Sequence, residues 1–506
     1  MNFGTVGRYY AEFLKPRISG KGLNDLIKMG LAPPLTGLYR QDAFLTGDIP
    51  EGPQVKVDAV FLSHAHADHA SYLGLVDPDI PVYCSPVTAA MIKATQDAAN
   101  PGLDGETVIF SPRVLNPKTD EPLLIKENSY AYYWRKYVNV FDAPPSDRFQ
   151  AYWTANLVSE ANLNKKAYEC LPVTMACGKG SVGAISYEAI AVDHSVYGAT
   201  AYVFEIGGKT LCYTGDFRLH GLRGETSLRF KERLKEIKPD YLLTEGTNFG
   251  GEKGNDLADV QRASEDDVYE NCLKAVRKER GRLVIADFGP RNIERLLTFL
   301  KIAGETGRKL VVTSKDLLFL QAMGTADEII DGAAHDELLF VYRPPKVKLA
   351  PWELYAIEEC RCRSVGAADL DKSPGDYVLA FSFFDFNNLV DISPYGGAYI
   401  YSTCEAFNEE MEIDAERILN WIVRFSMTPY GIKQGIDKET GKPKVAFVRG
   451  YHASGHISER ELIEFIDDVD PGAVIPIHTE HPEMFSKLLG GRHKVVIPEA
   501  GRTIIL

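Results

Sequence analysis

Residues 63–69 read Ser-His-Ala-His-Ala-Asp-His and place four metal-binding side chains, His64, His66, Asp68 and His69, within seven positions. Imidazoles and carboxylates at that density are costly in an apolar core and well suited to a cation, to which each offers a lone pair. Alternation along an extended segment puts His64, His66 and Asp68 on one side, and the adjacent His69 lets the same loop feed a second ion. The apolar run at 57–62 predicts a strand, so the loop falls at a strand's carboxyl end, where open α/β sheets hold their ligands. A fold for this chain must therefore bring further donors to that edge.

Three later segments supply candidates: Asp193-His194, Thr214-Gly215-Asp216 and Pro476-Ile477-His478, each after a strand-like run. A carboxylate can bridge two ions, and Asp216, behind a glycine that permits close approach, suits that role. His64, His66 and His194 would then hold one ion, and Asp68, His69 and His478 the other. Water at the positions left open between them would lose its proton near neutral pH.

With 506 residues and 45% apolar composition, the chain is long enough for two or three domains. Three blocks are expected: 1–250, 251–440 and 441–506. The first has strand signals at 57–62, 201–206 and 211–214, the last two separated by the hairpin signal Gly207-Gly208. The middle block alternates a strand at 283–288, an amphipathic helix carrying Ile293, Leu296, Leu297 and Leu300, and a strand at 310–313, a β-α-β pattern. The last has strands at 445–448 and 474–477 around a helix opened by the capping box Ser458 to Glu461, and reads as the end of a sheet begun elsewhere.

The formal charge of -14 argues against a protein that coats nucleic acid through broad electrostatics, though not against an enzyme with a recessed cationic site. Eight scattered cysteines without a C-x-x-C pair indicate reduced, cytosolic usage. Neither a secretory leader nor an apolar run of membrane-spanning length is visible, so a cytoplasmic protein is expected. The aromatic and basic cluster Tyr130-Ala131-Tyr132-Tyr133-Trp134-Arg135-Lys136-Tyr137 reads as a β-ribbon with one buried face in preference to a base-stacking platform.

In their order, His64-Ala65-His66-Ala67-Asp68-His69, His194, Asp216 and His478 resemble the metal motifs of the metallo-β-lactamase superfamily. The resemblance implies an α/β fold, an αβ/βα sandwich with two zinc ions at one edge, and places Asp58 where the family has an acidic residue that orients ligands from behind. The gap from Asp216 to His478 is 262 residues (478 − 216), far more than one β-α unit needs, and implies an inserted domain. Glu245, His456 in Ser454-Gly455-His456, and His478 match the β-CASP branch, whose members are nucleases. A histidine at the last of these motifs resembles the RNA-processing members, and the chain is similar to the shorter, archaeal form of ribonuclease J.

That resemblance implies hydrolysis of RNA to 5′-phosphate and 3′-hydroxyl ends by a hydroxide bridging the two ions. Asp68, Asp216, Glu245 and His456 would be catalytic, with His456 as general acid oriented by Glu245. Ser402, Thr403, Ser454 and Gly455 would bind substrate phosphate. A homodimer is compatible with the family. Hydrolysis of small esters or thioesters by the same metals, or an inactive RNA-binding scaffold, are the competing readings. Members of the superfamily open with two paired strands ahead of the segment that residues 1–4 resemble, so a late start or a trimmed chain is expected here.

Overall fold

The computed structural model describes residues 13–45, 52–99, 102–127, 132–141, 146–157, 174–175, 178–250, 263–360, 363–403, 409–436, 443–499 and 501–505. The start of the chain, to which the expectation of missing strands attaches, lies outside them, as do Tyr130 and Ala131.

Two sheets form the metal-bearing half. A four-stranded parallel sheet runs Val60–Phe61, Val82–Cys84, Tyr137–Asn139, Thr174–Met175. A six-stranded mixed sheet runs Ala473–Ile477, Tyr241–Glu245, Lys209–Tyr213, Thr200–Ile206, Ile185–Ala191, Lys179–Val182. Their facing sides interlock through an aromatic layer in which Phe61 stacks on Tyr83 and meets Tyr187, Tyr202 and Phe204 edge-on, at centroid distances of 4.8 to 5.1 Å. Helices cover the outer sides. Gly224–Ile237 and Glu459–Val469 bury Phe230, Leu234, Phe465 and Ile466 on the mixed sheet, and Pro86–Asp97 packs beside the parallel one. The result is the αβ/βα sandwich of the metallo-β-lactamases.

The third sheet has seven strands, all parallel, in the order Arg363–Val365, Leu339–Tyr342, Lys309–Val312, Tyr377–Ala380, Val284–Asp287, Ala398–Tyr401, Thr428–Tyr430. Its central strands are buried throughout, as a parallel sheet with helices on both faces requires. Ile293–Thr306 and Ser314–Gly324 pack on one face, and Glu409–Arg424 contributes Ala415, Ile418 and Ile422 to the other. The expected β-α-β unit is present, but Tyr377–Ala380 inserts between its two strands.

The hairpin at Gly207-Gly208 forms with both glycines in the left-handed region, φ 58° and 79°, as a two-residue turn of this kind requires. The capping box at Ser458 and Glu461 is complete. Strand Ala473–Ile477 pairs in parallel with Tyr241–Glu245, so the last block does return to a sheet begun earlier. Two expectations shift. The strand expected at 57–62 pairs only over Val60–Phe61, and the one at 445–448 lies in a two-stranded ribbon with Ile432–Ile436. The cluster around Trp134 is a ribbon with Ile109–Phe110, and buried Arg135 gives its guanidinium to the carbonyls of Gly74, Val76 and Glu106. Among the described residues, no helix is long and apolar enough to cross a membrane.

Candidate metal centre

Strand direction gathers the donors. Lys209–Tyr213, Tyr241–Glu245 and Ala473–Ile477 are parallel neighbours, so their carboxyl ends carry Asp216, Glu245 and His478 to one edge of the mixed sheet. Ile185–Ala191, antiparallel to the next strand, delivers His194 there too. The loop after Val60–Phe61 brings His64, His66, Asp68 and His69 to the same edge from the facing sheet, with the carbonyl of Ser63 accepting from Thr200 N at 3.0 Å. Gly215 is required by position: its φ is 61°, and a Cβ there would stand 2.7 Å from the Ser63 Cβ. His478 adopts φ 48°, a strained conformation for a residue with a Cβ and one that concentrates at functional sites.

The donor atoms gather in groups that share Asp216. His64, His66, His194 and Asp216 present one atom each within 4.8 Å of one another, and so do Asp68, His69, Asp216 and His478. In the first, His66 Nδ1 lies 3.0 Å from both His64 Nε2 and His194 Nε2, and Asp216 Oδ2 is 3.6 Å from His64 Nε2. In the second, Asp68 Oδ2 is 3.2 Å from His69 Nε2 and 3.1 Å from His478 Nε2, and Asp216 Oδ2 is 3.2 Å from His69 Nε2. Zinc holds such donors at about 2.0–2.2 Å, so two ligands of one ion stand roughly 3–4 Å apart, as these do.

An orphaned pair supports the fit. His69 Nε2 and Asp216 Oδ2 are buried and neither has a hydrogen-bond partner of acceptable geometry. Protonation states also suit a cation. Burial, reinforced by neighbouring imidazoles, holds His64 and His194 well below the ordinary histidine range, and burial brings His66 down to about 4, so all three keep neutral lone pairs. Burial alone would raise Asp68 and Asp216, but the surrounding histidines hold both carboxyls well below the usual range. His69, although burial opposes its charge, is pushed up to about 10 by Asp216 and Asp68, a proton that two carboxylates demand where no cation neutralises them.

Side chains behind the donors fix the rings. Ser63 Oγ lies 3.1 Å from His64 Nδ1, the Gly455 carbonyl 2.5 Å from His194 Nδ1, and Thr247 Oγ1 2.8 Å from His478 Nδ1. In each case Nε2 remains for the ion. Beside the shared carboxylate, His456 Nδ1 sits 2.8 Å from Glu245 Oε2 and 3.9 Å from Asp216 Oδ2, while Glu245 Oε1 accepts from Phe217 N at 2.8 Å. Burial works against a charge on His456, but Glu245, Asp216 and Asp68 outweigh it and push its pKa up to about 9.

Two sequence candidates are not brought to the site. Asp58 precedes the first paired residue of its strand, stands 54% exposed and pairs with Lys56 at 2.9 Å, so it orients no ligand. Ser402 is fully buried; its hydroxyl donates to the Tyr451 carbonyl at 2.6 Å and accepts from Arg295, which leaves it nothing for phosphate. Thr403 is half-buried after the end of Ala398–Tyr401. Ser454 and Gly455 lie beside the donors: Ser454 Oγ accepts from Asn248 Nδ2 at 3.3 Å and His456 N at 3.2 Å, which uses neither its hydroxyl proton nor the Gly455 N–H, and the Gly455 carbonyl lies against His194 Nδ1.

Sequence reasoning passed over Ser63, Thr247 and Asn248, and favoured a surface or supporting position for His220 over contact with substrate. Asn248 Nδ2 also donates to the Ile457 carbonyl at 2.9 Å, and His220 Nε2 lies 3.0 Å from the Ser454 carbonyl, so the two pin the loop that carries His456. Their only sequence signal was nearness to Glu245 and Asp216.

A model of the Zn-dependent metallo-hydrolase RNA specificity domain matches residues 443–498, the stretch that holds His456 and His478. The chain is similar to ribonuclease J of Mycolicibacterium smegmatis, with 27% identity over 150 residues, 29% of this chain and 25% of that protein. It is similar also to ribonuclease J of Sinorhizobium meliloti, with 21% identity over 334 residues, 65% of this chain and 52% of that one. The chain thus spans about half or less of the curated relatives it matches. A solved structure of a protein of unknown function from Enterococcus faecalis V583 superposes with a TM-score of 0.63 at 23% identity, over 95% of this chain and 88% of that one. It establishes the same fold along nearly the whole chain.

Proposed function

We propose that this chain, which has the fold of a β-CASP metallo-β-lactamase and resembles ribonuclease J, is a zinc-dependent phosphodiesterase that hydrolyses RNA in the cytoplasm, with 251–440 as the inserted domain. The observation that carries the reading is the meeting of Asp216, Glu245, His456 and His478, whose polar atoms lie within 4.8 Å of one another beside two metal donor sets. A hydrolase of small esters needs the metals alone; an acid–base pair poised against the shared carboxylate serves a reaction with a poor leaving group.

His64, His66 and His194 would hold one zinc ion, Asp68, His69 and His478 a second, and Asp216 both. When bound, the ions neutralise charge on the phosphate and activate the attacking water. In hydrolysis the water oxygen forms a bond to phosphorus while the bond from phosphorus to the 3′ oxygen breaks, in line. With Nδ1 engaged by Glu245, Nε2 of His456 is the atom left to give that oxygen a proton. Glu245 fixes the ring and favours its charged form, so His456 arrives protonated at neutral pH. The products are a 3′-hydroxyl and a 5′-phosphate. A full donor set and an intact Glu245–His456 pair argue against an inactive scaffold.

The test is zinc-loaded protein on 5′-monophosphate, 5′-triphosphate and circular RNA. Cleaved circles require endonuclease action, and activity confined to linear 5′-monophosphate RNA requires a 5′ exonuclease; no cleavage of any substrate refutes the proposal. His456→Ala should reduce turnover by at least about 100-fold with both ions retained. Loss of metal in that variant would make His456 a ligand instead.

A further inference from the structure

Behind the candidate proton donor, the turn at 454–457 is held by one side chain of the loop that follows Tyr241–Glu245. Asn248 Nδ2 faces three acceptors: the Ile457 carbonyl at 2.9 Å, the His456 carbonyl at 3.3 Å and Ser454 Oγ at 3.3 Å. Carbonyls accept and never donate, so the amide nitrogen is the atom that belongs there, and an acceptor in its place would be repelled. The same Ser454 oxygen accepts from His456 N at 3.2 Å, and Ile457 N donates to the Phe217 carbonyl at 2.7 Å. The backbone on either side of His456 is thus tied, its carbonyls by Asn248.

The anchor is itself rigid. Gly246 N donates to the His478 carbonyl at 3.3 Å, Phe249 stacks on Phe485 with ring centroids 4.0 Å apart, and Gly250 N donates to Glu459 Oε2 at 2.9 Å. One short loop therefore presents Glu245 to the imidazole of His456 and Asn248 to its backbone. A carboxylate at Nδ1 fixes the ring at one point and leaves it free to swing about that hydrogen bond. A fixed backbone removes the swing, so the direction of Nε2 follows from both contacts together.

We propose that Asn248 is a positioning residue for the proton donor: through the 454–457 turn it sets the line along which His456 Nε2 meets the leaving oxygen. The proposal rests on the phosphodiesterase reading and deepens it, by assigning the aim of the acid to a side chain that reaches backbone carbonyls and a hydroxyl. A misplacement of about 1 Å in such a group costs on the order of 100-fold in rate.

The leaving group separates an aimed acid from a structural prop. Nucleoside 5′-phosphate esters whose leaving group runs from p-nitrophenol through phenol to an alkyl alcohol are assayed beside RNA, because nitrophenolate departs without a proton and an alkoxide does not. Zinc-loaded Asn248→Ala should keep kcat on the p-nitrophenyl ester within about 2-fold of wild type. On the alkyl ester and on RNA it should lose about 10- to 100-fold in kcat, with KM within about 2-fold and zinc content unchanged. Asn248→Asp keeps the shape but replaces the donors with an acceptor, and should lose as much. In a His456→Ala background, Asn248→Ala should add less than about 2-fold, since the two act as a unit. In zinc-free protein, hydrogen exchange of peptides covering 454–457 should quicken by about 10-fold in Asn248→Ala, with 63–69 unchanged. Equal loss across all leaving groups, additivity with His456→Ala, full activity in Asn248→Asp, unchanged exchange at 454–457, or loss of zinc or of cooperative unfolding in Asn248→Ala would each overturn the proposal. Wild type that turns over the esters but not RNA refutes the RNA reading, and the leaving-group pattern still decides Asn248. RNA cleavage with a wild-type leaving-group pattern in Asn248→Ala does the reverse, and no turnover of any ester or of RNA refutes both.

Discussion

A substitution at Gly455 would separate the two proposed metal sites experimentally. Its carbonyl lies 2.5 Å from His194 Nδ1, and a Cβ at this position would stand 2.6 Å from Ser195 Oγ, 3.0 Å from Ser195 Cβ and 3.2 Å from His194 Cε1. Ordinary carbon contacts are about 3.5–4.0 Å, so Gly455→Ala forces a retreat of roughly 0.5–1 Å. The Ser195 hydroxyl can rotate away, but the Ser195 Cβ and the imidazole cannot, because Asp193 N is tied to Ser227 Oγ at 2.8 Å and Arg218 grips the Asp193 carboxylate. Overpacking of this kind costs about 1–3 kcal/mol. Here the strain falls on the ligand that belongs only to the His64, His66 and His194 set, so affinity there should drop by about 5- to 150-fold. Asp68, His69 and His478 are untouched. Dialysis against graded chelator, with zinc read by mass spectrometry, should show one equivalent lost early and the other held as in wild type. Ser195→Gly removes the two closest obstructions and should restore most of the loss, a coupling that the double-mutant cycle measures. Two ions retained as tightly as in wild type, or both lost together, would refute the geometry.

Arg218→Met should destabilise the protein by about 3–5 kcal/mol in denaturant unfolding, because it removes the guanidinium from Asp193 and Glu294 in a buried pocket and leaves Glu265 with Arg295 alone; Arg218→Lys should rescue little, and an unchanged midpoint would show the network to be idle. Asp287 gives a pH signature: burial, aided by Asp385 and opposed by the Tyr399 hydroxyl, pushes its carboxyl from 3.8 up to about 7. The folded state then binds the proton more tightly than the unfolded state, so this stability is fully present below about pH 4 and is lost as pH rises through about 7, to at most about 4 kcal/mol. Asp287→Asn should therefore gain on wild type between those limits in unfolding free energy, and parallel stability profiles would contradict the assignment.

Much of the site was legible because each donor follows a strand. His64 to His69, Asp216 and His478 end apolar runs, and parallel neighbours must deliver their carboxyl ends to one edge. What the sequence concealed were strand limits and partners distant along the chain. Asp58 alternates with apolar residues as a strand residue would, yet pairing starts at Val60 and leaves it facing solvent beside Lys56. Ser402 sits at a strand's carboxyl end, where a phosphate ligand is plausible, but Arg295, 107 residues away, occupies its hydroxyl. Thr247 and Asn248 work on residues 231 and 206 positions further on, contacts that no local pattern announces.

The same contacts explain how the seven-stranded half can govern chemistry performed by the sandwich. Glu265, Glu294 and Arg295 from that half meet Asp193, Arg218 and the Ser454 carbonyl from the other in one buried ionic network. Two guanidinium charges face three carboxyls, and the imbalance is eased because burial pushes Glu294 up to about 7, so that it is about half protonated at neutrality. Such a network adds little net stability over an apolar interface, but it tolerates only one registration, since any slip leaves charges unpaired in a dry pocket. The positions it registers are the neighbours of His194, Asp216 and His456, together with the first turn of Ile293–Thr306. Docking of the two halves and alignment of the Glu245–His456 pair with the candidate metal donors are therefore one structural event, which an apolar seam of equal area would not enforce.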